Sequence, residues 1–178
     1  MAPSPSKGER AGVRGQTRHL TLVVLVLALT ACGYRFTAPN SSLPAGLTSV
    51  RVPLFQNRTA EPGAELFFTQ AARDQLERAG RLGGDASEGV LEGTLLSVTS
   101  GPFLQAPELP RQPVFRLSVT LSLTLKKNDA VVGNTTVALS EEFPSGADVL
   151  LTESNRGAAL RRIAESAARE GLERLQAP

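Results

Sequence analysis

The sequence predicts an α+β fold: a two-layer sandwich in which a four-stranded, mostly antiparallel sheet carries two helices on one face, in the order β-α-β-β-β-α. Three observations predict it. In VFRLSVTLSLTLKK, Phe115, Leu117, Val119, Leu121, Leu123 and Leu125 are strictly interleaved with Arg116, Ser118, Thr120, Ser122, Thr124 and Lys126. That period of two marks a half-buried strand with a dry face and a wet face. Two other stretches, one after Gly63 and one at the chain's end, space their apolar residues as helices do. Helices that cover one face of the sheet leave the other, rich in Ser and Thr, open to water or to a partner.

The first strand is read in LTSVRVPLFQNRT, where Val50, Val52 and Leu54 alternate with Ser49, Arg51 and Pro53, and Asn57-Arg58-Thr59 turns the chain. Pro53 has no N–H for a ladder, so this strand lies at an edge or turns its proline nitrogen outward. Glu61-Pro62-Gly63 opens the first helix, with proline tolerated in the first turn and acid favoured there. Phe68, Ala72, Leu76 and Ala79 fall on one stripe with Phe67 and Ala71 beside it, and Gly80 is placed to stop the helix. The run GVLEGTLLSVTS, residues 89–100, reads as the second strand. It leads into GPFLQAPELPRQP, whose prolines at 102, 107, 110 and 113 exclude helix and central strand. A structureless connection of that length is usually functional or disordered.

The alternating strand follows, longer than the usual five or six residues, and returns through Lys127-Asn128-Asp129 into AVVGNTTVALSEEF. A two-residue turn at Asn128-Asp129 would set Leu123 opposite Asn134 and Leu121 opposite Thr136. A three-residue loop, Lys127 to Asp129, sets Leu125 by Val131, Val119 by Val137 and Leu117 by Leu139. A slip of one residue turns every side chain over, so the apolar matches favour the three-residue loop. The last helix is read in ESNRGAALRRIAESAAREGLERLQ: Leu160, Ile163, Ala164, Ala167, Gly171 and Leu175 share a face, flanked by Ala168 and Leu172. Arg161, Arg162, Glu165, Arg169 and Glu173 cover the other side. So much alanine suits close approach to a flat sheet.

The chain opens differently. Lys7, Arg10, Arg14 and Arg18 precede LTLVVLVLALT, an uncharged run from Leu20 to Thr30. A basic segment, a short apolar run and a small-residue end form the pattern of a secretory signal. The run is too short for a spanning helix, which needs about 20 apolar residues. Leu29-Thr30-Ala31-Cys32 resembles the bacterial lipobox, and Cys32 is the single cysteine in the chain. The resemblance implies cleavage before Cys32, a diacylglyceryl group on its sulfur and an acyl chain on the new amino terminus. Several acyl chains give stable anchoring, at about 0.8 kcal/mol per buried CH₂. No other cofactor is expected. Gly33 in place of Asp after the cysteine points to the outer membrane.

The expected organisation is therefore a signal peptide over 1–31, a lipidated tether over 32–46, rich in turn formers, and one domain over 47–178. Four of the 19 basic and one of the 17 acidic residues leave with the signal, so the mature balance is 15 against 16. A pI near 9.1 then belongs partly to the discarded segment and gives no case for nucleic acid. The only histidine, His19, leaves too, which removes His-based catalytic triads and metal sites. Glu141 and Glu142 are neighbours on a strand and point to opposite faces, so they cannot act on one substrate. The expectation is no enzyme. About four strands cannot close a membrane barrel, which needs at least about eight. Asn57-Arg58-Thr59 and Asn134-Thr135-Thr136 match the glycosylation sequon but fall on a turn and a strand face.

The lipobox with CGYRF directly after it, VRVPLFQNRTAEPGAE leading into a helix, the VLEGTLLSV strand and the closing alanine-rich helix together resemble the lipopolysaccharide-assembly lipoprotein family, LptE. The similarity spans nearly all of the mature chain. It implies a two-helix, four-stranded domain anchored in the inner leaflet of the outer membrane, on the periplasmic side. It further implies a plug within the large barrel protein LptD, supporting that barrel's assembly and the passage of lipopolysaccharide to the cell surface. Arg111, at the end of the proline-rich stretch, and Lys126 and Lys127, at the hairpin tip, are candidate contacts for lipopolysaccharide phosphate. Ordinary solvated charges are the alternative for all three. A generic envelope adaptor, binding a protein partner without lipopolysaccharide, is the alternative for the whole chain.

Overall fold

The computed structural model describes residues 43–103 and 113–177. The signal segment, Cys32, most of the tether and Arg111 lie outside the described residues. Packed structure is present from Leu43: its side chain and that of Leu47 are buried, and Pro44–Gly46 forms a short 3₁₀ turn between them. Residues 43–46, expected in the tether, are thus part of the folded body.

The elements in order are β1 (Val50–Arg51), β2 (Gln56–Asn57), α1 (Ala64–Arg78), β3 (Gly89–Phe103), β4 (Val114–Lys127), β5 (Ala130–Pro144) and α2 (Val149–Gln176). The order β-α-β-β-β-α holds, with the first strand in two pieces. The sheet is mixed rather than mostly antiparallel: β1 and β2 both run parallel to β3, while β3, β4 and β5 pair antiparallel in that order. The physical reason is the intervening helix. Parallel strands need a crossover, which α1 supplies between β2 and β3, whereas tight hairpins force antiparallel neighbours.

Pro53 explains the divided first strand. Val50 pairs with Gly89 and Gln56 with Thr94, so six steps on one strand oppose five on the other. One residue is extra, and the alternation slips past it. Leu54, expected on the dry face, is 57% exposed, and Phe55 is buried in its place. The Phe55 N–H is satisfied by Thr69 Oγ1 at 2.9 Å, and that hydroxyl donates to Glu65 O at 2.6 Å. A buried polar group in α1 thereby closes the gap that the proline leaves in the ladder.

In α1, Phe68, Ala71, Ala72 and Leu76 are buried as the stripe requires, while Ala79 is exposed beyond the last turn. Gly80 takes φ +65°, and the bonds Arg81 N–H to Leu76 O and Gly80 N–H to Glu77 O complete a Schellman stop. β3 runs three residues further than its sequence suggests and includes Pro102, paired with Phe115. The proline is tolerated because β2 pairs only as far as Leu95, so among the described residues no strand pairs with the other side of β3 at Pro102. A bulge at Leu96 separates the pair Leu95–Leu121 from Ser97–Thr120.

The β4–β5 register departs from the expected one. The turn has two residues, Asn128 and Asp129, both with positive φ (48° and 67°), which suits the twist of paired strands. Lys127 then faces Ala130 and Lys126 faces Val131. That register alone would put apolar against polar side chains. A bulge next to Leu125 skips Val132 and restores the match: Leu125 faces Gly133, Leu121 faces Val137 and Val119 faces Leu139. The demand for matched faces is met, by a tight turn plus a bulge instead of a longer loop.

α2 begins at Val149, a turn before the expected Glu153, because Asp148 caps it: its Oδ1 accepts the Leu151 N–H at 2.8 Å. Its buried face carries Ala159, Leu160, Ile163, Ala164, Ala167, Ala168, Gly171, Leu172 and Leu175. A Cβ on Gly171 would stand 2.4 Å from Leu123 Cδ1, so the helix lies against β4 at a distance only glycine permits. Leu91, Leu95, Leu117, Leu121, Leu123 and Leu125 form the opposing layer, with less than 2% exposure each.

Candidate interaction surface

Because the odd residues of β4 point to the helices, Arg116, Ser118, Thr120, Ser122, Thr124 and Lys126 face away from them, as expected. Registration lines them up with their neighbours into cross-strand rows: Thr94, Ser122 and Thr136; Ser97, Thr120 and Ala138; Thr99, Ser118 and Ser140. The Ser118 and Ser140 hydroxyls are 2.8 Å apart. The surface is a short-side-chain, hydroxyl-rich plane with acceptors and donors in rows. It can meet another polar wall directly or through bridging water.

Each end of this plane carries an ion pair. At one end Lys126 Nζ lies 2.8 Å from the Glu92 carboxylate. At the other, Arg116 Nη2 lies 2.8 Å from Glu142 Oε1, and its guanidinium stacks 3.9 Å above the Phe103 ring. Phe115 and Phe143 stack beneath that end, with ring centroids 5.6 Å apart. Glu141, next to Glu142, points to the helical side and meets Arg162 Nε at 2.6 Å. The two acids thus sit on opposite faces of the strand, as the strand geometry requires.

Of the three candidate cations, only Lys126 and Lys127 fall within the described residues. Lys126 and Lys127 sit at the hairpin end, where Lys127 Nζ donates to Ala45 O at 3.0 Å and lies 3.8 Å from Glu88. The chain leaves β3 at Phe103 and is described again from Pro113, at the opposite end of β4, and Arg111 lies outside the described residues. The stretch Val114–Lys127 separates the two ends by about 45 Å at the usual rise of a strand.

The helical side carries a cleft of about 420 Å³ lined by Leu54, Leu66, Phe67, Arg73, Arg161 and Glu165, among others. Leu54, turned outward past the extra residue of the first strand, lines it, which the alternation in the sequence does not predict. Arg161 lies 5.4 Å over the Phe67 ring, and Arg73 donates twice to Val52 O, at 2.8 and 3.1 Å. Nearby, Arg156 of α2 grips Glu61 at the start of α1 through both guanidinium nitrogens. That hydrogen bonding holds the Glu61 carboxyl below its ordinary range against the opposing effect of burial, and raises Arg156 in turn. Among the described residues, no cluster of His, Cys, Asp or Glu could hold a metal, and no helix is long and apolar enough to cross a membrane.

Comparison with known proteins follows the architecture. No curated protein matches the chain. A Caulobacter crescentus CB15 structure described as that of a lipoprotein is similar at 15% identity and TM-score 0.50, covering 68% of this chain and 87% of that one. A protein from Xanthomonas campestris is similar at 14% identity and TM-score 0.50, with 78% and 90% covered. At such identities the likeness is one of fold. The family model described as LptE, lipopolysaccharide-assembly, matches residues 47–175, which take in every strand and both helices up to Leu175. This chain therefore belongs to the LptE lipopolysaccharide-assembly family.

Proposed function

We propose that this protein is an outer-membrane lipoprotein, held on the periplasmic face by acyl chains on Cys32, that plugs and supports assembly of the barrel translocon LptD and helps deliver lipopolysaccharide to the cell surface. Membership of the family over residues 47–175 is the observation that carries this reading. The open hydroxyl-rich sheet face supports it, because the lumen of a large barrel is polar and wet. A plane of short side chains can pass along such a wall and bond to it through water. The anchor adds proximity. Ten residues separate Cys32 from Leu43, so the body stays within about 40 Å of the lipid and its effective concentration at the barrel mouth is high.

Non-enzymatic action fits the arrangement. The acids Glu92, Glu141 and Glu142 are each engaged by a basic side chain. Arg111, Lys126 and Lys127 are retained in the proposal as contacts for lipopolysaccharide phosphate. Arg111→Ala and the Lys126/Lys127 double alanine should then weaken lipopolysaccharide binding, and unchanged binding removes that part.

The test is a pull-down from detergent-solubilised outer membrane with mass spectrometry of the processed amino terminus. The expected result is a stoichiometric barrel partner and an acylated Cys32 at the new terminus. A bare thiol, or a chain recovered without any barrel, overturns the reading. Depletion separates it from the adaptor role: loss of surface lipopolysaccharide supports transport, and intact export supports the adaptor.

A further inference from the structure

Among the described residues β5 ends the sheet, with β4 on one side and no strand on the other. Ser145 N–H donates to Pro113 O at 2.8 Å, so odd positions bond inward toward β4. Even positions therefore turn their N–H and C=O outward. Two of the outward carbonyls are taken by α2: Arg174 Nη1 donates to Thr136 O at 2.8 Å and Asn155 Nδ2 to Pro144 O at 3.0 Å. Between them Ala138, Ser140 and Glu142 turn out backbone groups that no described strand takes up. Sheets ordinarily guard such an edge with lysine, proline or a bulge, yet residues 130–140 carry no charge.

The chain itself approaches this edge. The Pro44–Gly46 turn packs against β5, and Lys127 Nζ at the hairpin tip holds Ala45 O. Residues before Leu43 thus enter at the hairpin end, where β5 begins, and a strand laid along β5 from there runs antiparallel to it. Directly after Cys32 comes GYRFTAP, residues 33–39, in which Tyr34, Phe36 and Ala38 alternate with Arg35 and Thr37.

We infer that residues 33–37 of the tether form the edge strand of this sheet, with Gly33 opposite Glu142, Arg35 opposite Ser140 and Thr37 opposite Ala138. Three pairs exchange two bonds each and satisfy every outward group between the two that α2 takes. Next in line, Pro39 falls opposite Thr136. It has no N–H to donate to the carbonyl that Arg174 occupies, and the chain leaves the edge there. The faces match as well. Phe36 meets Leu139 and Ala38 meets Val137 on the helical side, where Val137 is buried and Leu139 only partly so. Arg35 lies on the hydroxyl face, diagonal to the Glu142 carboxylate. The same register carries Leu43 to the level of Val132, beside the hairpin turn.

Other registers fail on these residues. A slip of one puts Phe36 on the wet face and Arg35 on the helical side. A slip of two one way aims the Thr37 N–H at the occupied Thr136 carbonyl, and the other way leaves Ala138 O facing Pro39. The stretch 104–112 cannot serve instead, because Pro107 and Pro110 leave it no more than three successive donors. A lone strand brings no second layer to collide with α2, which packs over β5. The inference takes the mature chain to begin at Cys32, as proposed above, and mass spectrometry of the amino terminus checks that premise separately. It does not depend on the barrel partner.

The test uses the mature chain extracted from membranes in detergent, where the acylated Cys32 sulfur cannot compete for disulfides. In this register the Cα atoms of residues 35 and 140 stand about 5.5 Å apart, within disulfide range, whereas those of 35 and 136 are about 14 Å apart. Arg35→Cys with Ser140→Cys should close an intramolecular disulfide under mild oxidation, and Arg35→Cys with Thr136→Cys should not. Arg35→Pro leaves the lipobox intact but removes the N–H that meets Ser140 O. It should speed hydrogen exchange at the Ser140 and Glu142 amides by about tenfold or more. Equal cross-linking by the two pairs, cross-links only between chains, or Ser140 exchange that Arg35→Pro leaves unchanged overturns the proposal.

Discussion

Gly93→Ala tests whether the slip at Pro53 is a packed feature of the fold. A Cβ at Gly93 would lie 2.4–2.5 Å from Cγ, Cδ2 and Cε2 of Phe55, against an ordinary carbon contact of about 3.5–4.0 Å. The ring must therefore move by about 1 Å, yet its residue is 3% exposed and its N–H is fixed by Thr69. Overpacking of this kind costs about 1–3 kcal/mol. Replacing a strand glycine returns about 0.5–1 kcal/mol. The expected net loss is about 1–2 kcal/mol, a fall of about 3–8 °C in Tm for a body of this size. Thermal melting in detergent, followed by circular dichroism, measures it. The same change in a Phe55→Ala background should cost much less, because Cγ, Cδ2 and Cε2, the atoms that clash, are gone. An unchanged Tm for Gly93→Ala, or the same loss in both backgrounds, would refute the argument.

Two further changes probe other joints. Glu61→Gln should cost about 1–2 kcal/mol at pH 7, more than a surface pair, since the Arg156 and Glu61 side chains are only 21% and 23% exposed. Because Arg156 lowers the folded value of Glu61, its contribution is full above the ordinary value of 4.5 and fades as pH falls through the lowered one. The gap between parent and variant in urea titrations should close on acidification, and a gap that widens would contradict the assignment. Asp129→Gly should raise stability by about 0.4–1 kcal/mol, since position 129 holds φ +67° at the tip of the two-residue turn. A lowered urea midpoint would count against the turn geometry.

The course of the alternating strand and the two helical stripes was legible because each is a local period, and local periods survive folding. The demand that β4 and β5 match faces was legible too. How they match was not, since a two-residue turn with a bulge at Val132 and a three-residue loop satisfy the same demand. Pro102 was misread for a related reason: a proline forbids a central position, and only the shortness of β2 makes its site an edge. The ion pairs at the ends of the hydroxyl plane join residues 26 to 34 apart in sequence, beyond any pattern along the chain.

By itself, then, the sequence determined the secondary structure, the single polar face and the family, because side-chain period and composition are properties of neighbours. The tertiary structure decided the parallel placement of β1 and β2, the exchange of Leu54 for Phe55 in the core, and the bonds that Arg174 and Asn155 of α2 give to the Thr136 and Pro144 carbonyls of β5. Each of these depends on which distant residue supplies a missing hydrogen bond or fills a space. No local pattern records that choice.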